Sequence, residues 1–384
     1  MSATPIYLDY NATTPVDPAV LDAMLPYLRG EFGNPSSAHS LGSRAHDAVE
    51  AARAEVAALI GAAPDEIVFT SGGTEASNIA IRGAVRIEDA RRDIVTSTIE
   101  HPATEACCAF LEGEGHKVTR VPAKPDGLID GARVAAAIDN KTALVTIIHA
   151  QNEIGTIQPI AEIAAAARRG GALVHVDAAQ SVGKIAVNVE ELGADLFSIA
   201  GHKLYAPKGV GVLYIRRGVE LPPLLLGAGQ ERGRRPGTEN VPYIVALGEA
   251  CRIAGAMLER EARRLTGLSS DLFAALKREV PEMNLVGHPT QRLPNTLNVL
   301  FPNASGRRVL DKCPRVMAST GSACHADSEE PSAILTALGI AHDQALGAVR
   351  LSLGRGTKQE DIPAAARALA DAWQRVAPAA AAAE

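Results

Sequence analysis

The 384-residue sequence lacks the features that mark several classes of protein. It has no cluster of basic residues and a mild formal net charge of −6, so neither nucleic acid nor an anionic membrane surface is an expected partner. No apolar run is expected to serve as a membrane span. The N-terminus has no basic region followed by an apolar one, as a signal peptide would. We therefore expect a soluble, cytoplasmic protein.

Cysteines are few and scattered. Five in a chain of this length, an odd number, favour reduced thiols in the cytosol over a disulfide framework. None stands at the spacing of zinc ligands, so no metal site is predicted. Cys107 and Cys108 are adjacent on an apolar helical stretch, which indicates core packing. The hydrophobic content of 47% is sufficient for one large and one small domain.

Short apolar runs alternate with helical patterns along the chain. This alternation predicts βαβ units and a mostly parallel sheet, whose sites gather at the carboxyl ends of the strands. The predicted strands at this edge span residues 66–70, 93–98, 143–149, 173–177 and 196–200. A polar residue follows or ends each run, and these residues are Thr74, His101, Asn152, Asp177 and Lys203.

Two of these polar residues indicate a particular chemistry. Lys203 comes just past an apolar run, and Asp177 ends another run 26 residues earlier, which leaves room for one crossover. A lysine amine in a partly dry pocket titrates low and forms Schiff bases with aldehydes. An acid that keeps a pyridine nitrogen protonated, together with a lysine that holds the aldehyde, is the pairing that pyridoxal phosphate requires. A lone lysine after a strand is more often only solvated, so the hypothesis depends on the pair.

A glycine pair stands upstream, in Ser71-Gly72-Gly73-Thr74, between a predicted strand and a predicted helix. Such a turn points free backbone N–H groups outward, and the helix dipole favours an anion there. We interpret it as a phosphate-binding turn.

With Gly201-His202-Lys203, Asp177 and the glycine turn, the chain resembles the class V aminotransferase-like, fold-type I pyridoxal-phosphate enzymes. Within them it is similar to the cysteine desulfurases and the selenocysteine lyases, over nearly its whole length. The resemblance implies an α/β fold with a large domain, residues 15–262, around a mostly parallel seven-stranded sheet. Residues 1–14 and 263–384 would form a small α+β domain.

The resemblance also implies roles for individual residues. Lys203 would hold the cofactor and remove the substrate's Cα proton, and His101 would stack on the ring and exchange a proton with the substrate thiol. The implied cofactor-binding residues are Gly73, Thr74, His101, Asn152, Asp177, Gln180, His202, Lys203 and Thr238, and the implied substrate-binding residues are Asn34, Asn152 and Arg355.

Thr238 would reach the phosphate in the partner subunit of a homodimer with shared active sites. Two positions depart from the family pattern. Gln151 stands where a second asparagine is common, and Ala200 stands where many desulfurases have a serine that binds the phosphate.

One cysteine lies in a loop of small and polar residues, 319–331. Without context, Cys324 would more often be an incidental surface thiol, although an exposed thiolate there is reactive. It matches the family's Gly-Ser-Ala-Cys loop, which makes Cys324 the residue that takes the substrate sulfur as a persulfide. His325 is a candidate for lowering its pKa.

The implied activity is conversion of L-cysteine to L-alanine, with sulfur delivered from Cys324 to an acceptor protein, as in iron–sulfur cluster assembly. The main alternative is selenocysteine lyase acting on L-selenocysteine, which the residues flanking Cys324, among them Cys313 and His325, favour. A non-catalytic scaffold is a further alternative, against which the intact Lys203, Asp177 and Cys324 argue. Transamination, another class V reaction, would not need Cys324.

Overall fold

The structure is a computed structural model that describes residues 5–320 and 330–377. Cys324 and His325, the predicted catalytic thiol and its neighbour, lie outside these residues. Within them the strands form three sheets. The strands are β1 (Ile6–Tyr7), β2 (Ile67–Thr70), β3 (Asp93–Ser97), β4 (Val118–Val121), β5 (Thr142–Ile148), β6 (Leu173–Asp177), β7 (Leu196–Ala200), β8 (Gly211–Ile215), β9 (Asn284–Val286), β10 (Thr296–Leu300), β11 (Val316–Met317) and β12 (Ala348–Ser352).

The α-helices of the described residues connect these strands and cover the sheets. They are α1 (Pro18–Arg29), α2 (Ser40–Ile60), α3 (Gly73–Ala84), α4 (Pro102–Gly113), α5 (Gly131–Ala137), α6 (Ile160–Gly170), α7 (Val189–Leu192), α8 (Val241–Glu279), α9 (Gly306–Asp311), α10 (Ala333–Ala337), α11 (His342–Leu346) and α12 (Asp361–Val376).

The largest sheet has seven strands in the order β2-β8-β7-β6-β5-β3-β4. Only β8 runs antiparallel to its neighbours, β2 and β7, and the other pairs are parallel. The strands β2, β3, β5, β6 and β7 therefore end at the same edge. The predicted mostly parallel seven-stranded sheet is confirmed, as a mixed sheet with one reversed strand.

Helices cover both faces of this sheet, which explains why its central strands are continuous apolar runs. On one face α3 and α4 pack through residues such as Ile79 and Cys108. On the other face α2, α6 and α8 contribute Val56, Ile163 and Leu247. The buried Cys107 and Cys108 are core residues, as predicted.

A second core lies beside the first. It combines the antiparallel sheet β12-β10-β9 with α9, α12 and the carboxyl half of α8, and it includes Ile6 and Leu8 from the start of the chain. Strand β11 does not extend that sheet, because it pairs in parallel with β1. The predicted boundaries between a large and a small domain, at residues 15 and 263, stay predictions.

The long helix α8 joins the two cores, with Leu247 in the first and Leu272 in the second. Contrary to expectation, its length and a window of mean hydropathy 1.4 satisfy the composition of a membrane span. It packs against α1, α2 and α12, however, and its buried residues face the two cores. We therefore describe it as a core helix.

A buried ion pair fixes the loop that precedes α8. Arg53 on α2 donates to both carboxylate oxygens of Glu231, at 2.9 Å each, and to the carbonyl oxygen of Ile67 at 2.8 Å. Glu231 also accepts the backbone N–H of Phe69 at 2.9 Å. The φ angles of Glu231 and Arg232 are 49° and 58°, in the left-handed region that non-glycine residues rarely adopt. The ion pair therefore holds a strained backbone in place.

We expect the substitution Arg53→Met to lower the free energy of unfolding by about 3 kcal/mol, because the Glu231 carboxylate stays buried without its partner. The matched control is Arg44→Met, which removes the exposed ion pair with Glu31 and should cost less than about 1 kcal/mol. Denaturant unfolding followed by circular dichroism measures both. Equal losses would contradict a special role for the buried pair.

Candidate active site

The edge where five strands end carries the polar residues singled out in the sequence. Asp177 ends β6, and the turn Gly201–Lys203 follows β7 directly. His101 and Asn152 follow β3 and β5 at the same edge, and Thr74 lies in the first turn of α3, after β2. The fold thus brings together the ends of the strands on which the prediction was based.

The amine of Lys203 is turned inward at this edge. Its Nζ donates to the backbone carbonyl oxygens of Asn11 and, at 2.7 Å, Ala12. Burial and, after it, the Arg350 guanidinium together lower the pKa of Lys203 to about 8, against the opposing effect of Asp9 and Asp177. A large fraction of this amine is therefore neutral near pH 8, as a nucleophile or a base must be.

Asp177 and His101 lie within electrostatic reach of Lys203. The Oδ1 atom of Asp177 accepts the backbone N–H of Ala179 at 3.0 Å, and Oδ2 has no hydrogen-bond partner among the described residues. The Nδ1 atom of His101 accepts the backbone N–H of Ala103 at 3.1 Å and so caps α4. The neutral imidazole then carries its proton on Nε2. The pKa of His101 is lowered on balance, because partial burial and the nearby Lys203 lower it by more than Asp177 raises it.

The glycine turn before α3 has the form expected of an anion site. No side chain caps the N-terminus of this helix, so the backbone N–H groups of Gly73 and Thr74 donate to no capping side chain. A Cβ at position 73 would lie 3.3 Å from the Cβ of Ala200, and a Cβ at position 211 would lie 2.6 Å from the Cα of Gly72. Glycines therefore allow the turn to pack closely against the β7–β8 hairpin.

His202 completes this side of the edge. Its Nδ1 lies 3.2 Å from Thr13 Oγ1. Burial lowers the pKa of His202 to about 4, and the Lys203 ammonium acts in the same direction. A neutral imidazole there is a hydrogen-bond donor or acceptor and not a charge.

The amide side chains at this edge differ in what they contact. Gln151 is fully buried, and its Oε1 accepts the N–H groups of Glu153 at 2.6 Å and Ile154 at 3.0 Å. It holds the turn after β5, which explains how a glutamine replaces the family's second asparagine. Asn152 is half-buried, and Gln180 is buried with its Nε2 3.0 Å from the carbonyl oxygen of Asn11.

The guanidinium of Arg355 is held on two sides. One nitrogen, Nη1, donates to Asp17 at 3.1 Å, and the group stacks 4.1 Å from the ring centre of Tyr205. Asn34 is exposed, and its Oδ1 accepts the Ser36 N–H at 2.9 Å in an Asx turn. Thr238 is exposed. The substrate and partner-subunit roles of these three residues stay predictions.

The sequence analysis missed three residues that the structure brings to the site. Asn11 accepts from Lys203, and Lys184 donates to Asn11 and Gln180. Arg350 is 3% exposed and pairs with Asp9 at 2.7 Å. A signal existed for Arg350, a charge inside the apolar strand β12, whereas the sequence around Lys184 gives none.

Glu100 is a further buried titratable group beside the site. Its Oε1 accepts the Ser97 hydroxyl at 2.5 Å, and its Oε2 has no partner among the described residues. Burial raises the pKa of Glu100 to about 8, and the negative charge of Asp177 adds to the effect. No group of three or more potential metal ligands occurs in residues 5–320 and 330–377.

Known proteins resemble the chain over almost its full length. Residues 6–364 match the family model described as aminotransferase class-V. A cysteine desulfurase of Trichormus azollae is 46% identical over 93% of this chain and 90% of its own. The cysteine desulfurase IscS of Methanosarcina thermophila is 46% identical over 93% of this chain and 89% of its own. A solved NifS-like protein has a TM-score of 0.91 at 36% identity, covering 97% of this chain and 100% of its own. SspA in complex with cysteine has a TM-score of 0.79 at 38% identity, covering 90% and 98%.

The chain belongs to the class V aminotransferase family. Within this family its relatives carry the name cysteine desulfurase, which confirms the predicted branch, the fold-type I architecture and an enzyme of the cysteine desulfurase type. Their names do not favour the selenocysteine lyase alternative.

Class V enzymes of this type use pyridoxal phosphate, and the residues at the edge of the sheet fit that cofactor. The uncapped, glycine-lined turn before α3 suits a phosphate. The inward amine of Lys203 suits an aldehyde. The carboxylate of Asp177, one oxygen of which has no hydrogen-bond partner in residues 5–320 and 330–377, suits a protonated ring nitrogen.

We expect the Lys203 amine of the cofactor-free protein to titrate near pH 8. Its reactivity towards an amine-selective acylating reagent should rise as pH passes through that value, because only the neutral amine reacts. The exposed Lys312 is the internal control. Peptide mass spectrometry over a pH series measures both. Identical titration curves would contradict the effect of burial and of Arg350.

Proposed function

We propose that this chain is a pyridoxal-phosphate-dependent cysteine desulfurase. It converts L-cysteine to L-alanine and delivers the sulfur, through a persulfide on Cys324, to an acceptor protein. The observation that carries the proposal is that the inward Lys203 amine and the Asp177 carboxylate lie within electrostatic reach at one edge of the sheet, in a chain whose relatives are named cysteine desulfurases.

Bound pyridoxal phosphate would supply an electron sink for the substrate's α-carbon. We assign its phosphate to the turn of α3 and to His202, and its ring nitrogen to Asp177. Stacking on the ring falls to His101. Gln180 and Asn152, whose amides lie at the same edge, are assigned to hydrogen-bond the ring hydroxyl.

The proton transfers fall to Lys203 and His101. A neutral Lys203 Nζ takes the proton from the substrate Cα, which its lowered pKa favours. In the neutral form with Nε2–H, His101 exposes a donor at the same edge and exchanges a proton with the substrate thiol.

The sulfur transfer falls to Cys324. Its thiolate forms an S–S bond with the substrate sulfur while the bond from that sulfur to the substrate Cβ breaks. The electron pair of the broken bond stays with the carbon fragment, which takes up protons to become alanine. In total, L-cysteine and the Cys324 thiol give L-alanine and the Cys324 persulfide, so no external oxidant or reductant is needed.

The substrate carboxylate falls to Arg355. Its guanidinium plane is fixed by Asp17 and Tyr205, and among the described residues no hydrogen bond occupies its Nη2 or Nε atom. A planar edge of this kind suits a carboxylate. Asn34 and Asn152 are assigned to the substrate with it.

We further propose a cytoplasmic homodimer in which Thr238 reaches the phosphate in the partner subunit. Thr238 is exposed, and Leu226, just before the loop that carries it, is 90% exposed. A large apolar side chain so exposed in a single chain is expected where a second copy covers it.

The decisive experiment uses the substitution Cys324→Ala. The matched control is Cys313→Ala, which removes a buried thiol. Alanine is measured after incubation with L-cysteine and, separately, with L-selenocysteine. The parent chain and the control should turn over L-cysteine, and Cys324→Ala should not, because it lacks the thiol that takes the sulfur.

The other outcomes are equally clear. Full L-cysteine activity of Cys324→Ala would remove Cys324 from the reaction. Turnover of L-selenocysteine alone by the parent chain would reassign the activity to selenocysteine lyase.

We expect Arg355→Leu to raise the KM for L-cysteine about tenfold or more, because a charge-assisted hydrogen bond contributes about 1.5–3 kcal/mol. The control is Arg252→Leu, which removes an exposed guanidinium paired with Glu249. Steady-state kinetics measure both KM and kcat. An unchanged KM would place the carboxylate elsewhere.

A further inference from the structure

Lys184 is an amine at the site for which the reaction described above has no use. It lies in the turn after β6, and its Nζ donates to Gln180 Oε1 at 2.5 Å and to Asn11 Oδ1 at 3.0 Å. Among the described residues, no carboxylate lies within ion-pair distance of Nζ. Burial lowers the pKa of Lys184 well below its usual value, and the nearby Lys203 and Arg350 add to the effect.

We propose that Lys184 is a positioning residue, which fixes the Gln180 amide so that this amide presents its N–H group to the cofactor. The inference rests on the proposed function, because it concerns the contact between Gln180 and the cofactor's ring hydroxyl.

The argument begins with what each group can do in a hydrogen bond. An amine directs its N–H groups at acceptors, so the atom of Gln180 that faces Lys184 is the oxygen Oε1. The nitrogen Nε2 must then face the other way. There it donates at 3.0 Å to the carbonyl oxygen of Asn11, the same oxygen that accepts from Lys203. The donor side of Gln180 is thus turned towards the Lys203 amine.

Without Lys184, the orientation of Gln180 is no longer determined by that contact. A side-chain amide has an oxygen and a nitrogen of similar size, so a half-turn about its last bond exchanges an acceptor and a donor. The buried Oε1 would also lose its donor, which costs free energy. Only the orientation with Nε2 towards the cofactor donates to a ring oxygen.

Asn11 is oriented in the same way. Its Oδ1 accepts from Lys184 and, at 3.1 Å, from Asn295 Nδ2. Its Nδ2 therefore points to Thr296 Oγ1 at 2.8 Å and to the carbonyl oxygen of Asn152 at 3.0 Å. These contacts fix the position of Asn11, whose backbone carbonyl oxygen accepts hydrogen bonds from both Gln180 and Lys203.

Lys184 retains enough donors for this function whether or not it is protonated. A neutral amine retains two N–H groups, and the structure offers them two acceptors, Gln180 Oε1 and Asn11 Oδ1. The cavity beside the amine has a volume of only about 30 Å³ and is lined by Thr14, Lys203 and Arg355 among others. It has room for about one water molecule.

The test is a double-mutant cycle on the full chain. Cofactor is removed from the parent chain, Lys184→Met, Gln180→Met and the double variant, and the Kd of pyridoxal phosphate is measured by absorbance titration. The matched control is Lys277→Met, which makes the same change at a half-buried lysine that donates to the Met283 carbonyl oxygen, in the second core. The thermal midpoint of each cofactor-free variant reports any general loss of stability.

We expect Lys184→Met to raise the Kd about tenfold and Lys277→Met to leave it unchanged. In the Gln180→Met background, Lys184→Met should change the Kd by less than about twofold, because the amide that it positions is absent. A merely structural lysine would weaken binding by the same factor in both backgrounds.

Three results overturn the inference: an unchanged Kd for Lys184→Met, equal factors in the two backgrounds, or an equal effect of Lys277→Met. If Lys184→Met does not fold, Lys184→Gln replaces it in the cycle. Its amide no longer forces Oε1 of Gln180 towards it, so the same difference between backgrounds is expected. A parent chain that binds no pyridoxal phosphate would instead contradict the proposed function.

Discussion

The burial of Asn11 is the constraint on which the site depends. This residue is 1% exposed, and each of its polar atoms is hydrogen-bonded, as burial requires. Its partners come from both cores: Ser352 and Thr296 from the antiparallel sheet, and Lys203 and others from the edge of the large sheet. Because a single turn near the start of the chain satisfies both sides, the second core cannot move away from the first without leaving polar atoms of Asn11 unpaired. The position of the Lys203 amine is therefore coupled to the packing of the two cores.

The part of the site that follows from single strands was predictable from the sequence. The strands that end at Asp177 and at Ala200 have the predicted bounds, because each is an apolar pattern bounded by glycine or polar residues. The ends of parallel strands meet at one edge, so His101, Asp177 and Lys203 were brought together by topology alone. The pairing of β1 with β11 was not predictable, because its residues are about 310 apart in the chain and each strand has only two residues. Strand pairing at that distance leaves no local pattern.

The polar network behind the site was also beyond sequence reasoning, for a different reason. Gln151 differs from the family pattern at a position predicted to belong to the site. Its side-chain oxygen in fact accepts hydrogen bonds from the N–H groups of Glu153 and Ile154, which is visible only in the folded turn. Lys184 reads as an ordinary solvated lysine, since nothing in its neighbours indicates that its amine is turned inward. Burial is the main cause of its lowered pKa and of that of Lys203, and the nearby Arg350 in the same cluster of cationic groups adds to both shifts. An anionic cofactor and substrate are the ligands that such a cluster favours.

The loop before α8 links the glycine turn before α3, the proposed phosphate site, to the surface where a second copy is proposed to bind. Glu75 lies in the first turn of α3, beside Thr74, and accepts the Ser71 N–H at 2.7 Å and the Arg235 guanidinium at 2.7 Å. Burial alone would raise the pKa of Glu75, but Arg235 and Ser71 outweigh it, so the carboxylate stays charged. An unpaired carboxylate there would repel a phosphate. Arg235, which neutralises it, lies on the loop that carries Thr238, and the ion pair of Glu231 with Arg53 anchors the same loop. The charge at the glycine turn before α3 therefore depends on the position of that loop, and so does the proposed contact of Thr238 with a second copy.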